Sequence, residues 1–187
     1  MKTFQIRSDK DLEQFKDEYG YNITGNAEFI HSVDIEKRII VDGYLEVKAG
    51  RAIKAGRYIK AGEYIEAGGA IKAGRYIEAG EYIKAGEYIE AGGSIEAGEY
   101  IEAGGSYGIS AGLYISAKGV IKFGLKCFAG ICTWREISDE EKTITCSKFE
   151  GGTLEYGILK ETGTAEIEEL TMEEVCKELG RNIKIKK

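Results

Sequence analysis

From Val47 to Ser106 the chain repeats a six-residue unit, I-x-A-G-x-Y, ten times without interruption, and this periodicity limits the accessible folds more than any other feature. Position one is Val47, then Ile53, Ile59, Ile65, Ile71, Ile77, Ile83, Ile89, Ile95 and Ile101; position three is always Ala and position four always Gly. A helix is excluded, because ten interior glycines would cost about 10 kcal/mol against alanine and a six-residue period drifts around a 3.6-residue helix. Collagen is excluded as well, since it requires Gly at every third position. What remains is a parallel β-solenoid in which each hexad forms one short strand and one corner, with Gly supplying unusual backbone angles at the corners. The fold class expected is mainly β, with small α/β caps at both ends.

Strand alternation assigns directions. With position one pointing inward, the Ala at position three does so too, while position two and the Tyr at position six face solvent. Position two agrees, being Lys or Glu in every hexad. With 18 residues per coil, a three-sided solenoid, Lys48, Glu66, Lys84 and Glu102 stack as an alternating column whose neighbours attract. With 12 residues per coil, Lys48, Lys60, Lys72 and Lys84 form a repulsive column opposite one of Glu66, Glu78, Glu90 and Glu102. Three sides are preferred on this ground, although that arrangement stacks Glu63, Glu81 and Glu99 at one corner, and the glycines at 69, 93 and 105 are separated by multiples of 12.

The pattern weakens on both sides. Tyr107-Gly108-Ile109 follows a two-residue insertion, Ile115 and Ile121 open degenerate rungs, and Val41-Asp42-Gly43-Tyr44 is an imperfect first rung. The solenoid is therefore expected over residues 39–132, with capping segments at 1–38 and 133–187. Open strand edges must be covered if such a coil is not to polymerise. Ser8 is placed to cap a helix carrying Leu12, Phe15 and Tyr19 on one face and stopped by Gly20. At the other end Thr171 and Glu174 form a capping box ahead of the apolar stripe Met172, Val175, Cys176 and Leu179, closed by Gly180. Strands are expected at 143–146 and 153–159.

The net charge of −6 is distributed as acidic ends, a nearly balanced repeat and a slightly basic stretch after it. No basic groove for nucleic acid is indicated. No run of 18 apolar residues offers a membrane span, and the first fifteen residues lack the apolar stretch of a signal peptide, so a cytoplasmic location is expected. In that compartment the cysteines at 127, 132, 146 and 176 are expected to be reduced. Cys127, Cys132 and Cys146 could in principle offer three thiolates to zinc, but their spacing is not C-x2-C and the single histidine, His31, is distant, so neither metal nor cofactor is expected.

The candidate binding residues are Tyr58, Tyr64, Tyr76, Tyr82, Tyr88 and Tyr100, together with Trp134. Repeated aromatics flanked by charge on a rigid surface resemble protein interfaces. Tyrosines on successive rungs equally stabilise strand pairing, by about 0.2–1 kcal/mol per pair, without any partner. Trp134, next to the last expected rung, is suited to plug the open end, with contact to a partner a second role.

The segment Cys127-Phe128-Ala129-Gly130-Ile131-Cys132-Thr133-Trp134, followed by Glu140-Glu141, Ile144-Thr145-Cys146 and Glu150-Gly151 and preceded by the I-x-A-G hexads, resembles uncharacterised repeat proteins of bacteria and their phages. The ending around Thr171-Met172-Glu173-Glu174-Val175 is similar to those of small proteins from Firmicutes phages. The resemblance implies a small non-enzymatic phage protein, of the kind that inhibits host defence complexes as anti-CRISPR proteins do, acting in the host cytoplasm on a host or phage protein partner. Two further readings compete with it. A self-assembling structural solenoid, or a homodimer, would use the coil itself as the interface. A hexapeptide acyltransferase is disfavoured, because the position two residues before the aliphatic one, small in those enzymes, here holds Arg, Glu or Gly, and its histidine would have to be His31, outside the repeat.

Overall fold

In a computed structural model, in which residues 1–163 are described, the chain winds as a three-sided parallel coil. One face is a continuous eight-stranded parallel sheet: Gly20–Ile23, Arg38–Val41, Ile59–Ala61, Ile77–Ala79, Ile95–Ala97, Ile115–Ala117, Thr143–Cys146 and Ile158–Glu161. This is called the third face. The first face runs from Thr3–Ile6 through Asn26–Phe29, Leu45–Val47, Ile65–Ala67, Ile83–Ala85 and Ile101–Ala103. The second runs from Val33–Ile35 through Ile53–Ala55, Ile71–Ala73 and Ile89–Ala91 to Ile109–Ala111. The ten-residue strand Val120–Ala129 passes around the corner between them and joins both, pairing with Ile101 through Ile121 and with Ile109 through Cys127.

The pairing register fixes the coil at 18 residues: Ile71 sits against Ile53 on one side and Ile89 on the other, and Ile83 against Ile65 and Ile101. The three-residue strands alternate buried, half-buried or exposed, buried, so Ile and Ala fill the interior of the hexads and the charged residue between them faces out. The isoleucines from Ile53 to Ile101 are fully buried, and among the described residues no polar side chain is buried with them. The position-two charges pair across coils: Lys54 with Asp34 at 3.0 Å, Lys60 with Glu78 at 2.7 Å, Lys72 with Glu90 at 2.7 Å, Lys84 with Glu66 at 3.5 Å and Lys122 with Glu102 at 3.3 Å.

Three features differ from the sequence reading. First, Val47 does not open a rung. It occupies the Ala position of the strand Leu45–Val47, so that Glu46, not Lys48, stacks on Glu66. The following corner, residues 48–52, holds two extra residues and turns through Gly50 at φ +70°, closed by Arg51 N–H donating to Lys48 O at 3.0 Å. Leu45, fully buried, sets the phase, and Lys48 folds back to Glu46 at 3.0 Å.

Second, the repeat glycines are not there for unusual angles. Among the described residues positive φ is confined to Gly20, Gly25, Gly50, Gly130, Gly151 and Gly157, most of them outside the regular hexads. What the hexad glycines provide is close approach: a Cβ on Gly80 would lie 2.0 Å from the Gly62 carbonyl oxygen of the preceding coil, and one on Gly98 would lie 1.9 Å from that of Gly80. The backbone itself packs against backbone at these corners, and no side chain fits between.

Third, parallel pairing does not stop at residues 39 and 132. It begins with Thr3–Ile6 on Asn26–Phe29 and continues to Thr143–Cys146 on Ile158–Glu161. The hexad consensus is absent there, but inward alternation persists through Ile23, Ala27, Phe29, Val33 and Ile35 at one end and Ile144 and Cys146 at the other, all buried. The helix expected after Ser8 is short, Asp9–Glu13, and Gly20 opens a strand instead of closing the helix. Leu12 is buried and Phe15 meets Phe4 edge-on with ring centres 4.8 Å apart, so the helix and its following turn pack onto the first coil. The expected C-terminal helix at 171–179 lies outside the described residues.

Candidate functional site

Each hexad places its sixth residue at a corner, and the 18-residue coil sorts these positions into three columns. At the corner between the third and first faces, Tyr44, Tyr64, Tyr82 and Tyr100 stack ring on ring. Their ring centres are 4.9, 4.7 and 4.7 Å apart and their planes within 5° of parallel. Between the second and third faces the column reads Arg38, Tyr58, Tyr76, Ser94 and Tyr114, connected through Ile39 N–H to Tyr58 O, Ile59 N–H to Tyr76 O, Ile77 N–H to Ser94 O and Ile95 N–H to Tyr114 O. Tyr58 and Tyr76 stack at 4.4 Å. Tyr88 stands alone at the remaining corner, between Ala70 and Gly108.

The seven candidate residues therefore form no single surface. Tyr64, Tyr82 and Tyr100 belong together; Tyr58, Tyr76 and Trp134 share a different corner; Tyr88 is separate. Tyr44 joins the first group, and its signal was the imperfect rung Val41-Asp42-Gly43-Tyr44. The stacked rings are half-buried against each other, not projecting freely to solvent; Tyr88, at 38% exposure, is the most open of the six.

The four-tyrosine stack has an acidic border. Glu63, Glu81 and Glu99, at position five on the same corner, follow each other coil by coil, with Glu81 N–H donating to Glu63 O at 2.8 Å and Glu99 N–H to Glu81 O at 2.6 Å. These three carboxylates make no ion pair among the described residues. On the other side lie Glu28, Glu46, Glu66, Lys84 and Glu102. Tyr44 Oη donates to Glu28 at 2.9 Å and Tyr82 Oη approaches Glu66 at 3.4 Å. Partial burial, then the negative charge of the neighbouring tyrosine and glutamates, pushes the Tyr64 phenol up to about 12. Tyr82 is pushed up further by burial and by Glu66. At neutral pH the stack is a column of neutral phenols in a negative field.

Trp134 does not plug the coil, because strands continue beyond it. The chain leaves the coil after Ala129 and re-enters at Thr143, and the intervening segment lays Trp134 back over the corner between the second and third faces, against Gly112. Trp134 is 60% exposed. The segment is fastened by Arg135, whose guanidinium bridges both carboxylate oxygens of Glu141, one at 2.9 Å, while Ser138 N–H donates to Glu141 Oε2 at 3.1 Å. The Arg135 hydrogen bond and then the Ser138 backbone N–H hold Glu141 down at about 2. Beside Trp134 the column of side chains is interrupted: Gly92-Gly93-Ser94 stands where the two preceding rungs carry Gly-Arg-Tyr and the following one Gly-Leu-Tyr. A notch of about 400 Å³ opens there, bordered by Arg75, Tyr76, Leu113 and Trp134.

Two of the thiols, Cys127 and Cys146, face inward. Cys127 and Cys146 are buried at core positions and burial pushes them up to about 12 and about 11; Cys132 is half-buried, and all three are free. His31 lies after the strand Asn26–Phe29, 3.6 Å from Asp9 and edge-on to Phe29. Among the described residues no three of His, Cys, Asp and Glu gather as a metal site, and no helix is long and apolar enough to cross a membrane. No family model, curated protein or solved structure matches the chain.

Proposed function

We propose that the protein is a non-enzymatic binding protein that docks a partner protein on the tyrosine stack Tyr44, Tyr64, Tyr82 and Tyr100. The observation that carries this reading is the juxtaposition of four parallel, stacked phenols with the carboxylates of Glu63, Glu81 and Glu99, which have no ion pair among the described residues, on one corner of a rigid coil. Tyrosine supplies contact area at low entropic cost, the stacked rings present their edges and hydroxyls outward, and arginine pairs with carboxylates. The complementary partner is a surface rich in Arg and Lys, as found on proteins that handle nucleic acid. Such a partner accords with the role implied by the resemblance to phage repeat proteins, an inhibitor of a host defence complex, of anti-CRISPR type, working by occlusion in the host cytoplasm.

Affinity capture from a bacterial lysate containing a nuclease-based defence complex, with the purified protein as bait and light scattering of the protein alone, tests this. The reading predicts a stoichiometric basic partner whose capture weakens as salt is raised, and a particle mass independent of concentration. No partner, together with a mass that grows with concentration, would replace it with the self-assembling reading.

A further inference from the structure

From the notch beside Trp134 we infer a binding site for one planar aromatic ring carrying an anionic group, a nucleoside monophosphate being the ligand class that fits. It lies on a different corner from the tyrosine stack and does not depend on the function proposed above.

The geometry is that of an aromatic column with one ring removed. Tyr58 and Tyr76 stack at 4.4 Å, the next rung carries Ser94, and the column resumes at Tyr114. Rungs follow each other at about 4.8 Å, so the missing ring leaves about 9–10 Å between Tyr76 and Tyr114 along the coil, enough for one further ring to stack beneath Tyr76. The floor is Gly92-Gly93-Ser94 backbone, whose register is kept by Ile77 N–H to Ser94 O at 3.0 Å and Leu113 N–H to Gly93 O at 3.0 Å. Leu113 and Trp134 close the far side, Trp134 being held in place by the segment that Arg135 and Glu141 fasten. A volume of about 400 Å³ exceeds what a single aromatic side chain needs and is in the range of small-ligand sites.

The charge around the notch selects an anion. Arg75 lines it, and Arg57 stands directly above in the same column, with Arg75 N–H donating to Arg57 O at 2.6 Å. Neither guanidinium has an ion pair among the described residues. Of the nearby acids, Glu78 is paired with Lys60 and Glu90 with Lys72, while Glu96 accepts hydrogen bonds from the Tyr114 and Ser94 hydroxyls and keeps its charge on the side of the notch away from Arg75's rung. The Arg75 guanidinium beside a vacant ring position matches a base with its phosphate, the base stacking and the phosphate taking charge-assisted hydrogen bonds. A free nucleotide is favoured over a strand. The upstream ring positions are filled by Tyr76 and then Tyr58, the downstream side is covered by Trp134, and a net charge of −6 repels a polyanion.

Trp134 is the single tryptophan of the chain, so its emission reports this site alone. The full-length protein is titrated with AMP, GMP, CMP and UMP, and in parallel with adenosine, inorganic phosphate, octa-adenylate and N-acetyl-tyrosinamide. Two variants accompany it. Ser94→Tyr fills the notch with the residue that neighbouring rungs carry, so the coil is retained, as the melting temperature verifies. Arg75→Gln removes the cation and leaves the notch. The expected result is saturable quenching by a nucleoside monophosphate, about tenfold stronger than by adenosine. Phosphate alone should have no effect, Ser94→Tyr should abolish saturation, and Arg75→Gln should level AMP with adenosine. Linear quenching that is the same in Ser94→Tyr, tighter binding of octa-adenylate than of AMP, or a response to N-acetyl-tyrosinamide without one to any nucleotide would each overturn the assignment.

Discussion

Replacing Gly80 by Ala tests the claim that backbone contact between coils, not backbone angle, is what the repeat glycines provide. The new Cβ would stand 2.0 Å from the Gly62 carbonyl oxygen, where ordinary contact begins at 3.4 Å, so neighbouring coils must separate locally by more than 1 Å. Two hydrogen bonds span that gap, Gly80 N–H to Ala61 O at 3.2 Å and Glu81 N–H to Glu63 O at 2.8 Å, and neither survives such a displacement. Losing both costs about 1–3 kcal/mol and the overpacking about 1–3 kcal/mol more, for a total of about 4 kcal/mol. In a chain of this size that is a fall of about 8–16 °C in melting temperature. Gly105 is the matched control: a Cβ there meets nothing within 4 Å and its φ is not positive, so Gly105→Ala should change stability by about 0.5 kcal/mol or less. Thermal and urea unfolding followed by far-ultraviolet circular dichroism compares the two variants with the parent. Equal melting temperatures for Gly80→Ala and Gly105→Ala would refute the reasoning.

The phenols of Tyr64 and Tyr76 are raised from 10 to about 12 by burial and by neighbouring tyrosines, so the folded state holds their protons more tightly. Their contribution to stability is complete below pH 10 and is lost as pH rises from 10 towards 12, so the urea midpoint should fall over that window while phenolate absorbance at 295 nm appears late. Full ionisation of all tyrosines near pH 10 in the folded protein would contradict this. Exchanging the charges of the Lys60–Glu78 pair probes the 18-residue stacking: Lys60→Glu should destabilise, Glu78→Lys should cost less because it also replaces the Glu78–Glu96 repulsion by an attraction, and the double exchange should show a favourable coupling of about 0.5–1 kcal/mol at low salt. Additive effects would argue against their contact. Glu141→Gln should loosen the segment carrying Trp134 and shift its emission with little change in melting temperature, whereas in the parent that emission should stay constant from pH 7 to 4, because Glu141 ionises near 2. An emission change between pH 6 and 4 in the parent would contradict the Arg135 clamp.

Much of the coil was legible because its physics repeats. Inward Ile and Ala follow from two-residue alternation, and the alternating column that pointed to three sides is present from Glu66 through Lys84 to Glu102, whereas Lys48 is out of phase and Glu46 on Glu66, Lys54 on Lys72 and Glu78 on Glu96 stack as like charges. The stacking of Glu63, Glu81 and Glu99, which looked like a defect of that arrangement, is present. The phase error at Val47 arose because V-K-A-G imitates the consensus, while the fully buried Leu45 that decides the register lies outside it. The outer coils were hidden for a related reason: Gly20–Ile23, Asn26–Phe29 and Val33–Ile35 keep the alternation but not the hexad. At the candidate sites the residue types were readable and their grouping was not. Tyr44 meets Tyr64 only because the corner at 48–52 lengthens that coil by two residues, while the 18-residue register elsewhere separates Tyr58 from them, and the notch is visible only when Ser94 is seen in line with Tyr76 and Tyr114.

The account stands most directly on the tyrosine stack as a contact surface. With a captured partner in hand, its affinity is measured for the parent and for the combined Tyr64→Ser, Tyr82→Ser and Tyr100→Ser variant, with circular dichroism establishing that the coil is intact. Three interface tyrosines at about 1–2 kcal/mol each predict a loss of at least about 100-fold. An affinity within threefold of the parent in a folded variant would contradict the claim and leave the stack as a strand-pairing device.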